Sequence, residues 1–401
     1  MLPRSIYTFF RKPFFSDYRT PLSVWMICAL YTAFKNIYEN NFLIFRQVFW
    51  HLVQQKPLYI EYPNEYSDIN LYGPLFAYII APFSIMPIWA GHLCWQIALT
   101  GFLFYAIKTA TLEKWQKIFI LWFCAHELLT ALFLSQFNIA IAAIILLTFY
   151  CIEKDKDCLA TLAIAIGVLT KIYGIVGLAF FFFSRHKTKF IVSLCLWMVS
   201  LTLLPIIVCD ANYLFGQYAE WGQTLIAKNE RNLFAPDENI SLLGIVRKVS
   251  GISTYSDLWL IIPGLTLFAL PYLRFRQYKE IAFRQAFLAS VLMFVVLFST
   301  GSESYGYITA LLGVAIWYTT SPWKRGKWDI ALLCFVFILT SLSPGDLFPR
   351  NIREEWVKPY SLKALPVAIV WFRLCYEMIT KNYTTHNIHE EKDNNPTASI
   401  Q

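Results

Sequence analysis

The chain has 401 residues, of which 57% are hydrophobic, 18% aromatic and 15% charged, and its net charge is +8. Soluble domains carry about 25% charged residues, so this composition, with apolar stretches from one end to the other, excludes the ordinary soluble classes. It also excludes nucleic-acid binding, because the basic residues fall in short runs between apolar segments, the pattern that orients a protein in a membrane.

Apolar segments near bilayer-spanning length are predicted at roughly 20–37, 72–87, 88–107, 117–134, 138–152, 158–184, 190–208, 256–273, 285–300, 306–321, 328–344 and 362–380. In lipid the backbone must satisfy its own hydrogen bonds, so each segment reads as a helix. The expectation is an all-α polytopic membrane protein with about twelve transmembrane helices (about 11–13). Residues 1–380 then form one integral domain, and 381–401 form a polar, disordered cytoplasmic tail. Arg4, Arg11, Lys12 and Arg19 precede the first apolar segment, and no small-residue cleavage site follows it. That segment is read as an anchor with a cytoplasmic N-terminus, not as a cleaved signal.

The segment 38–71 then lies outside. Its first part places Phe42, Phe45, Phe49, Trp50 and Val53 at helical spacing, interrupted by Arg46, Gln47, His51 and Gln54. Such a helix either lies flat in the membrane interface or simply packs as part of a loop. The second part gathers Glu61, Glu65 and Asp68 with Tyr59, Tyr62, Tyr66 and Tyr72 within 14 residues. Carboxylates there can take a proton from an acceptor hydroxyl or hold a divalent cation. Tyr72-Gly73-Pro74 reads as a turn that opens the next helix.

The middle of the chain admits two arrangements. Twelve simple spans leave Lys108, Lys114, Lys117, Lys154 and Lys156 on the outer side, against the charge rule. The alternative breaks 158–184 at Thr170-Lys171 and adds an irregular pass within 72–107, where Pro74, Pro82 and Pro87 supply breaks. Lys171 itself is a lysine among 27 otherwise apolar residues. That placement costs roughly 3 kcal/mol at a helix centre, so it faces a polar cavity or an anion, or snorkels from a broken helix turn. Ser135-Gln136-Phe137-Asn138 is a polar step between two apolar segments, and His126-Glu127 lacks the second histidine of a zinc-protease motif.

Downstream, the basic runs at Arg185–Lys189, at Arg274, Arg276, Lys279 and Arg284, and at Lys324, Arg325 and Lys327 are read as cytoplasmic. That leaves 209–255, 301–305 and 345–361 outside. The first of these carries Asn239, Ser241 and Arg247, and the second carries Glu303 and Tyr305. Nine cysteines show no C-x-x-C or Cys/His metal spacing. Glycine-rich phosphate loops and G-x-S-x-G are also missing.

These residues together resemble the polyprenol-phosphate-mannose-dependent mannosyltransferases, glycosyltransferase family 87, which have a C-type membrane fold. The resemblance rests on Asn41-Phe42-Leu43-Ile44-Phe45-Arg46, then Lys56-Pro57-Leu58-Tyr59, Tyr72-Gly73-Pro74-Leu75-Phe76, Ala81-Pro82 and Met86-Pro87. It continues through Ser135-Gln136-Phe137-Asn138, Gly167-Val168-Leu169-Thr170-Lys171 and Asn239-Ile240-Ser241-Leu242 to Arg247. It implies inverting transfer of a mannose-like hexose from a polyprenyl-phosphate donor to a glycan or glycolipid acceptor on the outer face of the inner (plasma) membrane. Both termini are then cytoplasmic, and membrane lipid and the donor are the partners. No cofactor beyond the donor sugar-lipid, and no divalent metal, is expected.

The family's acidic position falls on Asn41, which cannot act as a base. The resemblance therefore assigns catalysis to the neighbourhood of Asn41, with Glu39 or Asp68 as the carboxylate, or it implies a branch whose chemistry has changed or been lost. Arg46 and Lys171 are expected to bind donor phosphate, and Tyr72, Gln136, Asn138, Asn239, Ser241, Arg247 and Glu303 to line the cleft. A transport-type or non-catalytic protein handling lipid-linked sugars is the alternative; it requires polar residues strung along a path through the bilayer.

Overall fold

A computed structural model describes residues 12–235, 237–252 and 254–384. Arg4, Arg11 and most of the expected polar tail lie outside the described residues. Among the described residues all regular elements are helical. The first half comprises α1 (Arg19–Lys35), α2 (Asn40–Val53), α3 (Phe76–Ser84), α4 (Ile88–Thr109), α5 (Lys114–Phe123), α6 (Ala125–Phe133), α7 (Asn138–Glu153) and α8 (Asp157–Lys171). After a 3-10 helix at Ile172–Phe183 come α9 (Lys187–Leu203), α10 (Ala211–Asn232), α11 (Leu242–Ser250) and α12 (Leu258–Ala269). The chain ends with α13 (Ile281–Leu297), α14 (Ile308–Thr319), α15 (Lys327–Phe335) and α16 (Leu365–Thr380).

By length and composition, three helical stretches are apolar enough to cross a bilayer: Ile88–Thr109, Asp157–Phe183 and Lys187–Ile207. A fourth is counted if α5 and α6, bent by 45° at their junction, form one broken span. Asn138–Glu153, Leu258–Leu273 and Ile281–Leu297 are apolar but shorter. Taken singly, fewer helices than the expected twelve meet the length of a crossing. Burial sorts them. Nearly all of α7, α13 and α14 is buried, so they form the centre of the bundle. By contrast, α9 exposes Ile191, Val192, Leu196 and Val199, an apolar surface that suits lipid and not water.

The stretch Asp157–Phe183 does not run straight. A methyl on Gly167 would meet the Gly174 Cα at 2.8 Å, and one on Gly177 would meet Ile164 at 2.7 Å. Ser184 Oγ donates to Asp157 Oδ1 at 2.7 Å. The 3-10 helix therefore folds back antiparallel against α8, with Lys171 and Ile172 at the turn. At about 2.0 Å rise per residue, its 12 residues reach about 24 Å, close to the length of the 15-residue α8 at about 1.5 Å per residue.

The expected helix over 72–87 is also reshaped. It shortens to α3, with Pro82 inside it. Both ends of the segment sit at the same end of the bundle: Tyr72 beside Lys171, and Met86, whose carbonyl accepts from Arg46 of α2. The segment is a non-crossing pass packed on α2. These two departures bring the middle lysines to the opposite end of the bundle. There Lys154 Nζ reaches the Thr109 carbonyl, Lys117 Nζ the Lys108 carbonyl, and Arg284 pairs with Glu153. The later basic runs join them through Arg185–Asp155 and through Arg325, which pairs with the buried Glu377.

Candidate active site

At the other end, seven pieces of chain enclose a cavity of about 430 Å³. They are α2, residues 68–72, the step after α6, the hairpin turn, α10, residues 237–238 and the turn 299–305.

The hairpin turn is fixed first. Gly73 N donates to the Thr170 carbonyl at 3.0 Å, and a methyl on Gly73 would lie 2.1 Å from the Leu169 carbonyl oxygen. Only glycine lets the start of the 72–87 segment approach α8 this closely. Lys171 Nζ then donates to the Tyr72 hydroxyl at 3.3 Å and lies over the Tyr72 and Tyr173 rings, 5.2 and 5.5 Å from their centroids. The Tyr72 ring is itself held by stacking on Phe76 at 4.5 Å and by the edge of Phe45 at 4.9 Å. Of the four tyrosines between 59 and 72, Tyr72 lines the cavity, whereas Tyr59 and Tyr66 are buried in packing.

Facing Lys171 is a run of side-chain amides and carboxylates. Asn138 Nδ2 donates to Gln136 Oε1 at 3.3 Å, and Gln136 Nε2 donates to Glu303 Oε2 at 3.3 Å. Burial holds the Glu303 carboxyl above the usual carboxylate range; Lys171 opposes that shift, and the negative charge of Asp68 adds to it. Asp68 is exposed to the cavity in a left-handed backbone conformation, φ 74°, and its Oδ1 accepts from Ile69 N. From α10 and the following loop come Lys228 and Glu238, paired at 2.5 Å.

The expected site residues divide into three groups. Asn41, Asp68, Tyr72, Gln136, Lys171 and Glu303 line the one cavity, and Asn138 supports it from behind through Gln136. Glu39 is buried and accepts from Phe42 N as the N-cap of α2, so its carboxylate serves the helix and does not line the cavity. Burial raises its pKa, against hydrogen bonds from Phe42 and Asn41 N–H and from Ser135. Arg46 donates to the Met86 carbonyl at 2.6 Å and is likewise outside the cavity wall. Asn239 and Ser241 are buried and bond to each other at 2.7 Å, with Ser241 capping α11 through Gly244 N. They shape the loop that carries Glu238.

Arg247 lines a neighbouring, mostly apolar cavity of about 620 Å³, where it pairs with Asp257 at 2.6 Å and stacks on Tyr255. The two cavities share Ile172, Tyr173, Asn229, Ser299 and Thr300.

The cavity also takes in Tyr173 and Asn232, which nothing in the sequence marks, and Lys228, Glu238 and Tyr305, which the sequence marks only as polar residues of outer loops. Lys228 and Glu238 were legible as charges in an otherwise modestly charged loop, but nothing in their spacing signals that they pair across the turn into 237–238. Backbone strain gathers here too: Asp68, Ser135 and Asn239 all have positive φ, a conformation that ordinary side chains adopt at a cost and that clusters at functional sites. Among the described residues no group of three or more His, Cys, Asp or Glu is arranged to hold a metal ion.

The model of glycosyltransferase family 87 matches residues 70–300 of this chain, more than half its length, and the match takes in the hairpin turn, α10 and most of the residues that wall the cavity. No curated protein matches the sequence.

Proposed function

Since the chain belongs to glycosyltransferase family 87, we propose that this membrane glycosyltransferase moves a mannose-like hexose from a polyprenyl-phosphate donor to an acceptor at the outer face of the inner membrane, with inversion at the anomeric carbon. The observation that carries the reading is the opening of Lys171, Asp68 and Glu303 into one cavity.

Lys171, beside Tyr72, offers an ammonium to the donor phosphate, and Lys228 offers a second charge once Glu238 yields it. Asp68, accessible and acidic, takes the proton from the acceptor hydroxyl as its oxygen attacks C1 of the sugar. The C1–O bond to phosphate breaks, and polyprenyl phosphate leaves with the electron pair, its developing charge met by Lys171. The acceptor is a glycan or glycolipid, and the adjoining apolar cavity suits the isoprenoid chain, since it meets the polar one at Ile172, Tyr173 and Ser299.

The location follows from charge. The basic runs gather at the end of the bundle away from the cavity, so the positive-inside rule puts that end, with the region of both termini, in the cytoplasm. Twelve passes is the arrangement that fits this proposal, with the two arms of the hairpin counted separately and α2, α3, α10 and α11 left out.

The test is incubation of the reconstituted protein with labelled polyprenyl-phosphate hexoses and, separately, labelled nucleotide sugars. Label should move to acceptor from the lipid donor alone. Transfer from a nucleotide sugar, or none from any lipid-linked hexose, overturns the proposal.

A further inference from the structure

The turn that carries Glu303 is gripped from behind by residues lying beyond the 70–300 stretch that the family match covers. Lys363, at the start of the last helix, is buried, as is Glu127 of α6. Lys363 Nζ donates to Glu127 Oε1 at 2.7 Å, to the Ser304 carbonyl at 2.7 Å and to Ser304 Oγ at 3.1 Å. An ammonium has three N–H donors, and two of these three contacts fall on the residue next to Glu303. Two residues earlier, Ser361 Oγ accepts from Lys248 and donates to the Asn239 carbonyl, next to Glu238.

A buried ion pair is a poor device for stability alone, because removing both charges from water offsets the gain from their attraction and an apolar pair serves as well. What an apolar pair does not supply is a donor aimed at a chosen carbonyl. The geometry points to Lys363 as a positioning residue: Glu127 orients it, and it fixes the 303–305 turn so that Glu303 stands against Gln136 in the cavity. This inference rests on the reading of Glu303 as part of the transfer site. Lys363 is not among the residues that line the cavity; it reaches the turn through Ser304, and its ammonium also lies over the Tyr307 ring, 4.9 Å from the centroid.

Lys363→Met alone strands Glu127 in the interior, and loss of folding is its expected result. The informative protein is the double variant Glu127→Gln/Lys363→Met, which removes both charges at nearly constant volume. Two readouts are taken in reconstituted full-length protein. One is transfer from labelled polyprenyl-phosphate hexose. The other, independent of activity, is the rate at which a membrane-impermeant maleimide labels Tyr305→Cys, with and without the double substitution. The double variant should fold, lose about 10- to 100-fold in kcat, as small misplacements at a site do, keep KM for the donor, and show altered labelling of residue 305. Restoration of wild-type kcat and labelling by the double variant overturns the inference, since it assigns the pair a structural role only. Altered labelling in a protein that shows no transfer even when unsubstituted at these positions leaves the clamp standing and overturns the assigned function instead.

Discussion

Lys171 Nζ lies 3.3 Å from the Tyr72 hydroxyl, so the hairpin turn and the first residues of the 72–87 segment meet at one polar point set in an aromatic wall. A cation so placed has rings on one side and an open cavity on the other. Replacing it with methionine keeps the volume and removes the charge. Lys171→Met should lower kcat/KM for the lipid donor by about 10- to 100-fold, the effect of one lost charged hydrogen bond of roughly 1.5–3 kcal/mol. Thermal stability should be equal or higher, because a part-buried charge set against aromatic rings has gone. A steady-state transfer assay beside a melting curve checks both parts.

Glu303 gives a pH dependence with a defined sign. Its folded-state pKa is raised above the ordinary value of 4.5 by burial, so the folded protein binds more protons than the unfolded chain between those two values, and stability falls as pH rises through that window. Glu303→Gln should therefore raise the melting temperature at neutral pH and have little effect near pH 4, where both states are protonated. Melting curves of the two proteins at the two pH values decide it.

Gly73 lets the start of the 72–87 segment touch α8. A methyl there would sit 2.1 Å from the Leu169 carbonyl oxygen and 2.9 Å from the Trp221 ring, and neither backbone nor indole yields easily. Gly73→Ala should cost about 1–3 kcal/mol, the usual range for overpacking, and should reduce transfer along with stability. A thermal melt compared with turnover at a permissive temperature measures both.

The end-to-end arrangement is testable without any substrate. With the basic end cytoplasmic, a cysteine replacing exposed Lys154 should react with an impermeant maleimide only after the membrane is opened. One replacing exposed Glu61 should react in intact cells. Labelling of both from the same side contradicts the non-crossing pass at 72–87, the segment between Glu61 and Lys154 that the structure turns back.

Much of the fold is legible in the sequence, for stated reasons. Apolar runs have to become helices in lipid, and Lys171 in mid-run is expensive enough to signal a break there. What hides the return of the 3-10 helix is that its apolar sequence is indistinguishable from a continuing span; only Gly167, Gly174 and Gly177, spaced to let two helices touch, mark the fold-back. The segment 72–87 reads as a span by composition, yet Pro74 and Pro82 deprive it of donors and it turns away. In the site, residue type proved easier to read than use. Glu39 and Arg46 carry the right charges in the right segment, but local backbone captures them: an N-terminal amide for Glu39, the Met86 carbonyl for Arg46. Lys363 sits where a lysine at a helix end usually snorkels to the surface, so nothing marks it as buried until Glu127 is seen across from it.

The most direct measurement is the effect of Asp68→Asn on transfer and on donor binding, taken together in the reconstituted protein. The expected result is a fall in kcat of about 100- to 10,000-fold, the usual contribution of a positioned general base, with donor affinity changed little because Lys171 and Tyr72 remain. Turnover at the unsubstituted rate in Asp68→Asn contradicts the assignment of the base and, with it, the claim that this cavity carries out the reaction as described.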